Sequence, residues 1–439
     1  MQTVETRSFT GTESLPEFLK TCTEPTDVAG IRRAAHARFI ELPWPSQRDE
    51  EWRRTDVSSL DFDAYSFGRS VPSAPADGDL NDDESGRIVF ENAVCSSLVV
   101  KKDLSDQGVV FLPLDRLYGL FDANHSESLA RARKAFLEAL SGTADAVEDR
   151  IAALHYAAFT HGVFLYVPPG LEIADPFIVE LNVSGDHVMC APQIVAVAEK
   201  SSRVQLIERI SGADEGDVLY NEGISLSLGD NASLGFFQIQ NLNIDSSVFS
   251  TGRARIARDA RLHHFTGQFG GMLAKTRFDA ILDGPGSDVQ LSGLYIGSED
   301  QHMDLRTVQV HNSPNAESRT YYKGAVRDEA HTVFQGLIRV EDHAAKTDAF
   351  LENKNLLLND GARSDSIPSL QINTNDVRCS HGSTTAKIDQ NQVHYLRTRG
   401  FSQTEAERTL IQGYFEDVID STPEPMRDEL RELVVERIE

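Results

Sequence analysis

The chain has 439 residues, 40% of them hydrophobic and 25% charged, with a formal net charge of −26; that length suits two or three structural units and a large core. So acidic a surface is repelled by phosphate backbones and anionic lipid, which argues against direct nucleic-acid or membrane binding. There is no GxxxxGKS/T loop, no strand-linked GxGxxG, no run of eighteen apolar residues and no apolar leader core in "MQTVETRSFTGTESLPEF", so a cytoplasmic protein that hydrolyses no nucleotide by itself is expected.

The first region, about residues 1–165, reads as mainly helical. "VAGIRRAAHARFIEL" (28–42) has helical composition and ends before Pro43; "SESLARARKAFLEALSG" (126–142) is capped by Ser126 and stopped by Gly142; "VEDRIAALHYAAFTHG" (147–162) continues in the same style. Between them, "SFGRSVPSAPADGDLNDDESG" has the Ser, Pro, Gly and Asp content of a long loop.

From about 166 to 388 the pattern changes to short β-rich runs cut by polar turns, such as "RVQLIERI", "SLGFFQIQNL" and "DVQLSGLYI". Small turn residues recur: Ala232, Ala260, Asp288 and Ala316 stand 28 residues apart, and Ala330, Ala345 and Ala362 follow at about half that interval. One small turn residue per unit is the mark of a solenoid, here a strand-only β-helix, with a large sandwich or barrel as the alternative. Asn353 and Asn355 are either an inward polar ladder or loop residues.

The third region, 389–439, is helical. Asp389 caps a run ending at Gly400, and Ser402-x-x-Glu405 is a capping box. Leu410, Ile411, Tyr414, Phe415, Val418 and Ile419 form one broad apolar stripe, and Met426, Leu430, Leu433 and Val434 another. Either these stripes bury each other, or part of the first meets a partner.

The chemistry-bearing word is "NTNDVRCSHGSTTAKID" (373–389). Cys379 and His381, at i and i+2 of a strand-like run, share a face roughly 6–7 Å apart. Thiolate and imidazole both suit iron, but tetrahedral iron takes about four donors, so the pair is either half of a shared site or two ordinary core side chains. His263 and His264 are adjacent and face opposite ways. His302 and Asp304 share a face with nothing else to mark them. Cys190 with His187 reads as core, and Cys22 and Cys95 have no ligand-like neighbours; all four thiols are expected to be free.

"ENKNLLLNDGARSDSIPSLQINTNDVRCSHGSTTAKID" (352–389) resembles the signature of the SufB/SufD family of iron–sulfur cluster assembly proteins. "RDEEWRRTDVSSL" (48–60) is similar to the N-terminal motif of its SufD branch, and "LRTRGFSQTEAERTLIQGYFEDVID" to the family's C-terminal segment. The resemblance implies a right-handed parallel β-helix flanked by N-terminal and C-terminal helical domains, split here at 1–165, 166–388 and 389–439. It implies a non-catalytic scaffold subunit of a SufBCD complex that pairs with a SufB-like β-helix protein. A SufC-like ATPase would dock on the C-terminal helices, for which Tyr414, Phe415 and Val418 are the candidate residues, on a tail separable from the solenoid. It implies a transient iron–sulfur cluster or iron at the interface, held in part by Cys379 and His381 facing outward from the last coil, with none tightly bound to the isolated chain. A homodimer of the isolated chain is a further expectation. The alternatives are a SufB-like subunit, a β-helix carbohydrate-active enzyme and a self-contained metalloenzyme.

Overall fold

A computed structural model describes residues 7–22, 24–69, 78–123 and 126–438. Its centre is a parallel β-solenoid in which successive strands alternate between two sheets. The front sheet runs through Val218–Leu228, Ser247–Ile256, Leu273–Leu282, His302–His311, His331–Val340 and Arg363–Ile372. The back sheet runs through Phe177–Val183, Arg203–Gly212, Ser233–Asn241, Arg261–Gln268, Asp288–Gly297, Glu317–Val326, Thr347–Leu357 and Val377–Lys387. Each strand pairs in parallel with the next strand but one in the chain, so one coil contributes one strand to each sheet. The sandwich and barrel alternatives fall on that pairing.

The corners explain the sequence period. Asn231, Asp259, Gly286 and Asn315 all have φ between 55° and 72°, a left-handed conformation that Asn, Asp and Gly adopt most readily. Each is followed by a small buried residue, Ala232, Ala260, Ser287 and Ala316, and then by a back-sheet strand. The third marker is therefore Ser287 and not Asp288, which already lies in the strand. Ala330 and Ala362 occupy the other corner, before front-sheet strands, which is why the interval halves; in the "DHAAKT" turn the fully buried residue is Ala344 rather than Ala345.

The N-terminal helices fall where the sequence puts them, at Thr26–Glu41, Glu127–Ala144 and Arg150–Ala158. Ser126 caps the second, its Oγ accepting from the Leu129 amide at 3.3 Å, but Gly142 does not stop it: the helix runs two residues further to Ala144. Of the segment read as a loop, Ser66–Arg69 is a strand and residues 70–77 lie outside the described residues. The solenoid sheets also take in strands upstream of residue 166. Gly86–Glu91 pairs in parallel with Phe177–Val183, and His161–Val167 with Pro192–Ala198.

The C-terminal helices are Gln390–Thr398, Gln403–Ile419 and Glu424–Ile438, the second with both hydrogen bonds of its capping box. The last two lie across the outer face of the back sheet. Ile411, Phe415, Val418, Met426 and Leu430 pack on Ile207, Phe237, Phe265 and Leu294 in one buried cluster.

Candidate functional site

The site is the open end of the solenoid. Its two final strands, Arg363–Ile372 and Val377–Lys387, are each the last of their sheet, with a neighbour on one side only. Ala349 pairs with Cys379 and Leu351 with His381. Ala349 and Leu351 are buried in the solenoid core, so Cys379 and His381 stand on the inward-facing row, one coil beyond them. This corrects the expectation that both face outward from the coil. They are accessible because no further coil covers the lumen. The opposite wall is Leu370 and Ile372, still 37% and 39% exposed, in register with the fully buried Ile338 and Val340.

Cys379 is half-buried and packs against the core, whereas His381 is exposed. Burial, with a smaller push from the Asp348 charge, raises the thiol pKa above its ordinary value. The thiol is therefore protonated at neutral pH, and binding a cation there releases a proton. Among the described residues, no three His, Cys, Asp or Glu side chains are grouped to hold a metal ion. The donor set suits iron in kind but reaches half the usual number. Beneath this end the lumen is polar: Asn353 Nδ2 donates to the Tyr295 hydroxyl at 3.0 Å, and Asn355 Nδ2 to Asn353 Oδ1 at 2.8 Å. Both asparagines thus form the inward ladder.

Two of the three docking candidates on the tail are already covered. Phe415 and Val418 are buried against the solenoid, and Tyr414 is largely occupied there, its ring under the Lys323 ammonium at 4.6 Å. Lys323 also pairs with Asp417 at 2.7 Å, and Tyr321 donates to the same carboxylate at 2.9 Å. Docking through Phe415 and Val418 is therefore corrected: that stripe faces the chain's own sheet. The large apolar side chains left open here are Tyr395, 57% exposed, and Phe401, 41% exposed.

The other candidates separate cleanly. His264 is buried in the lumen and His263 faces out. Cys190 is buried, and the imidazole near it is His161, at 3.9 Å, rather than His187. Burial raises the Cys190 pKa to about 12 and depresses that of His161, so both are neutral core groups. No disulfide joins any of the four cysteines among the described residues. His302 and Asp304 do have a partner that the spacing could not show: the Thr55 hydroxyl lies 3.1 Å from His302 Nε2 and donates to Asp304 Oδ2 at 2.6 Å.

Fold and site together define a parallel β-solenoid protein whose last coil ends in free strand edges beside a Cys-x-His pair. Residues 181–414 match the SUF system FeS cluster assembly, SufBD core domain family, and the chain belongs to that family of iron–sulfur cluster assembly proteins. Its likeness is to the SufD branch. It is 27% identical to iron–sulfur cluster assembly protein SufD of Bacillus subtilis, with 96% of each chain covered. It is 30% identical to SufD of Escherichia coli over 54% of this chain and 56% of the other. An iron–sulfur cluster assembly SufBD family protein of Mycobacterium tuberculosis is 29% identical, covering 75% of this chain and 86% of its own. No described helix is long and apolar enough to cross a membrane.

Proposed function

We propose that this chain is the non-catalytic SufD-like subunit of a cluster-building scaffold, and that its open end pairs with the equivalent end of a SufB-like β-helix. The observation that carries this is the uncapped terminal coil. Two strands of 10 and 11 residues present free edges, the first lacking one backbone donor at Pro368, and a long free edge invites strand pairing. Pairing would also cover the half-exposed Leu370 and Ile372.

In that assembly Cys379 and His381 would supply two donors from one wall of a chamber, and the partner the rest. The cluster is then cargo under construction, bound transiently and released. Cys379 gives up its proton on binding iron or sulfide-bridged iron. His381, unburied, follows its ligand without breaking core contacts.

A SufC-like ATPase is placed on the exposed part of the C-terminal unit, around Tyr395 and Phe401, because the neighbouring stripe is covered. The test is affinity purification of the full chain from cells expressing candidate partners. A β-helix chain and an ATPase chain co-eluting in fixed ratio support the reading. Recovery of the chain only as a homodimer, joined through the same strand edges, would replace it.

A further inference from the structure

The motif "RDEEWRRTD" (48–56) is not used by the assembly reading, yet four of its side chains, Glu51, Trp52, Arg54 and Thr55, are bonded to or packed on the front sheet. The short helical turn Glu50–Trp52 and the residues after it cross the outer face of the front sheet at right angles to the strands. Phe249, Lys275, Asp304, Val333 and Asp365 form one row of that face, each on the next strand. Trp52 packs on Phe249 and under the Lys275 ammonium, 4.7 Å from the ring centre. Thr55 bonds Asp304, which also pairs with Lys275 and accepts from Gln335 at 3.0 Å. Glu51 ties the adjacent row, reaching Arg277 at 2.9 Å and Arg306 at 2.8 Å. Arg54 reaches the final strand: its Nε lies 3.1 Å from Asp365 Oδ2, and His331 Nε2 lies 3.3 Å from the same oxygen.

We propose that residues 49–57 are a strap that holds the terminal front-sheet strand in position, with Arg54 and His331 as positioning residues acting through Asp365. Coils of a solenoid are stabilised chiefly by their neighbours, and the last coil has one neighbour only. The strap spans four inter-strand spacings, about 19 Å, and brings to that coil an anchor rooted in the buried Asp304, two strands inward of the terminal one. It therefore presents the Arg363–Ile372 edge as a fixed template. The consequence for pairing rests on the assembly reading above; the ordering of the strand does not.

The experiment is hydrogen exchange on the isolated full-length chain, with partner pairing measured separately. Arg54→Met removes a half-exposed ion pair and should speed exchange of the Arg363–Ile372 amides by roughly two- to fivefold, leaving Arg261–Gln268 unchanged. Arg54→Asp should do at least as much, and the swap Arg54→Asp with Asp365→Arg should bring exchange part of the way back, since it restores the ion pair but loses the His331 contact with Asp365. Unchanged exchange in the terminal strand, or acceleration spread evenly through the solenoid, overturns the strap. A loosened strand that pairs with the SufB-like partner as tightly as wild type overturns the fixed-template consequence and leaves the strap itself standing. If wild type itself pairs with no such partner while the exchange pattern holds, the assembly reading falls and the strap stands.

Discussion

Cys379 stands directly on Ala349 in the parallel ladder, one coil beyond a residue that is fully enclosed. The position is a core position by register and a surface position by location. That combination is what a ligand shared between two solenoids needs, since a partner coil would turn the same row into an interior without moving the backbone.

Replacing the pair should therefore separate stability from loading. His381→Ala should change stability by no more than about 0.5 kcal/mol, as at other exposed positions. Cys379→Ala, half-buried against the core, should cost at most about 1 kcal/mol, the lower end of core truncations. Iron and acid-labile sulfide bound to the purified heteromeric complex should fall in both variants and most in the double variant. Equal loading in all four proteins would return the pair to the status of ordinary side chains.

Much of this fold was readable because corner chemistry is local. An Asn, Asp or Gly that accepts positive φ, then Ala or Ser that fits inside the bend, repeats with the coil and needs no tertiary information. The facing of Cys379 was not readable, because at an open end both faces of a strand are wet and burial no longer labels the inner row. The tail stripe was read correctly as apolar but assigned to the wrong neighbour. A signal was present in "SLGFFQIQNL": Phe236 and Phe237 are adjacent and both buried, so that strand is covered on both faces and something must lie outside it. Thr55 carried no signal, since one hydroxyl in "RRTD" does not announce carboxylate and imidazole partners about 250 residues later.

The tail should prove inseparable from the solenoid, contrary to the expectation from sequence. Its removal uncovers Ile207, Phe237, Phe265 and Leu294, each worth about 1.5–3 kcal/mol of burial, a sum comparable with the whole stability of a typical domain. Phe415→Ala alone should cost about 3–5 kcal/mol, read as a lowered urea midpoint. Tyr395→Ala should leave the midpoint unchanged and weaken ATPase co-purification. A Phe415→Ala chain as stable as wild type would mean that the helices do not rest on the back sheet.

Arg32 tests the N-terminal unit. It is 1% exposed, pairs with the equally buried Glu24 at 2.8 Å, donates to the carbonyl of Phe159 at 2.7 Å and stacks 3.5 Å above that ring. Arg32→Met breaks a buried ion pair together with the carbonyl bonds and ring stacking, at a cost of about 3–5 kcal/mol. Adding Glu24→Gln should recover part of that loss by replacing the carboxylate of the broken pair with a neutral amide. A double variant no more stable than the single one would locate the cost in the carbonyl bonds and ring stacking instead.

The buried acids of the lumen give a pH dependence of definite sign. Glu208 and Glu222 share one amide: Gln238 Nε2 donates to Glu208 Oε2 at 2.8 Å and to Glu222 Oε2 at 2.9 Å, and Ser250 donates to Glu222 at 2.8 Å. Burial, then the charge of Glu222, pushes Glu208 well above its ordinary 4.5. The folded chain thus keeps a proton that the unfolded chain releases above pH 4.5. Its contribution to stability is fully present below that value and is lost as pH rises toward the folded pKa. Glu208→Gln imitates the protonated acid at every pH. Its melting temperature should match that of wild type near pH 4 and exceed it at pH 8, with the gap widening between. A gap that is constant with pH, or that narrows as pH rises, would show that Glu208 is ionised in the folded chain and that Gln238 and its neighbours solvate a full charge.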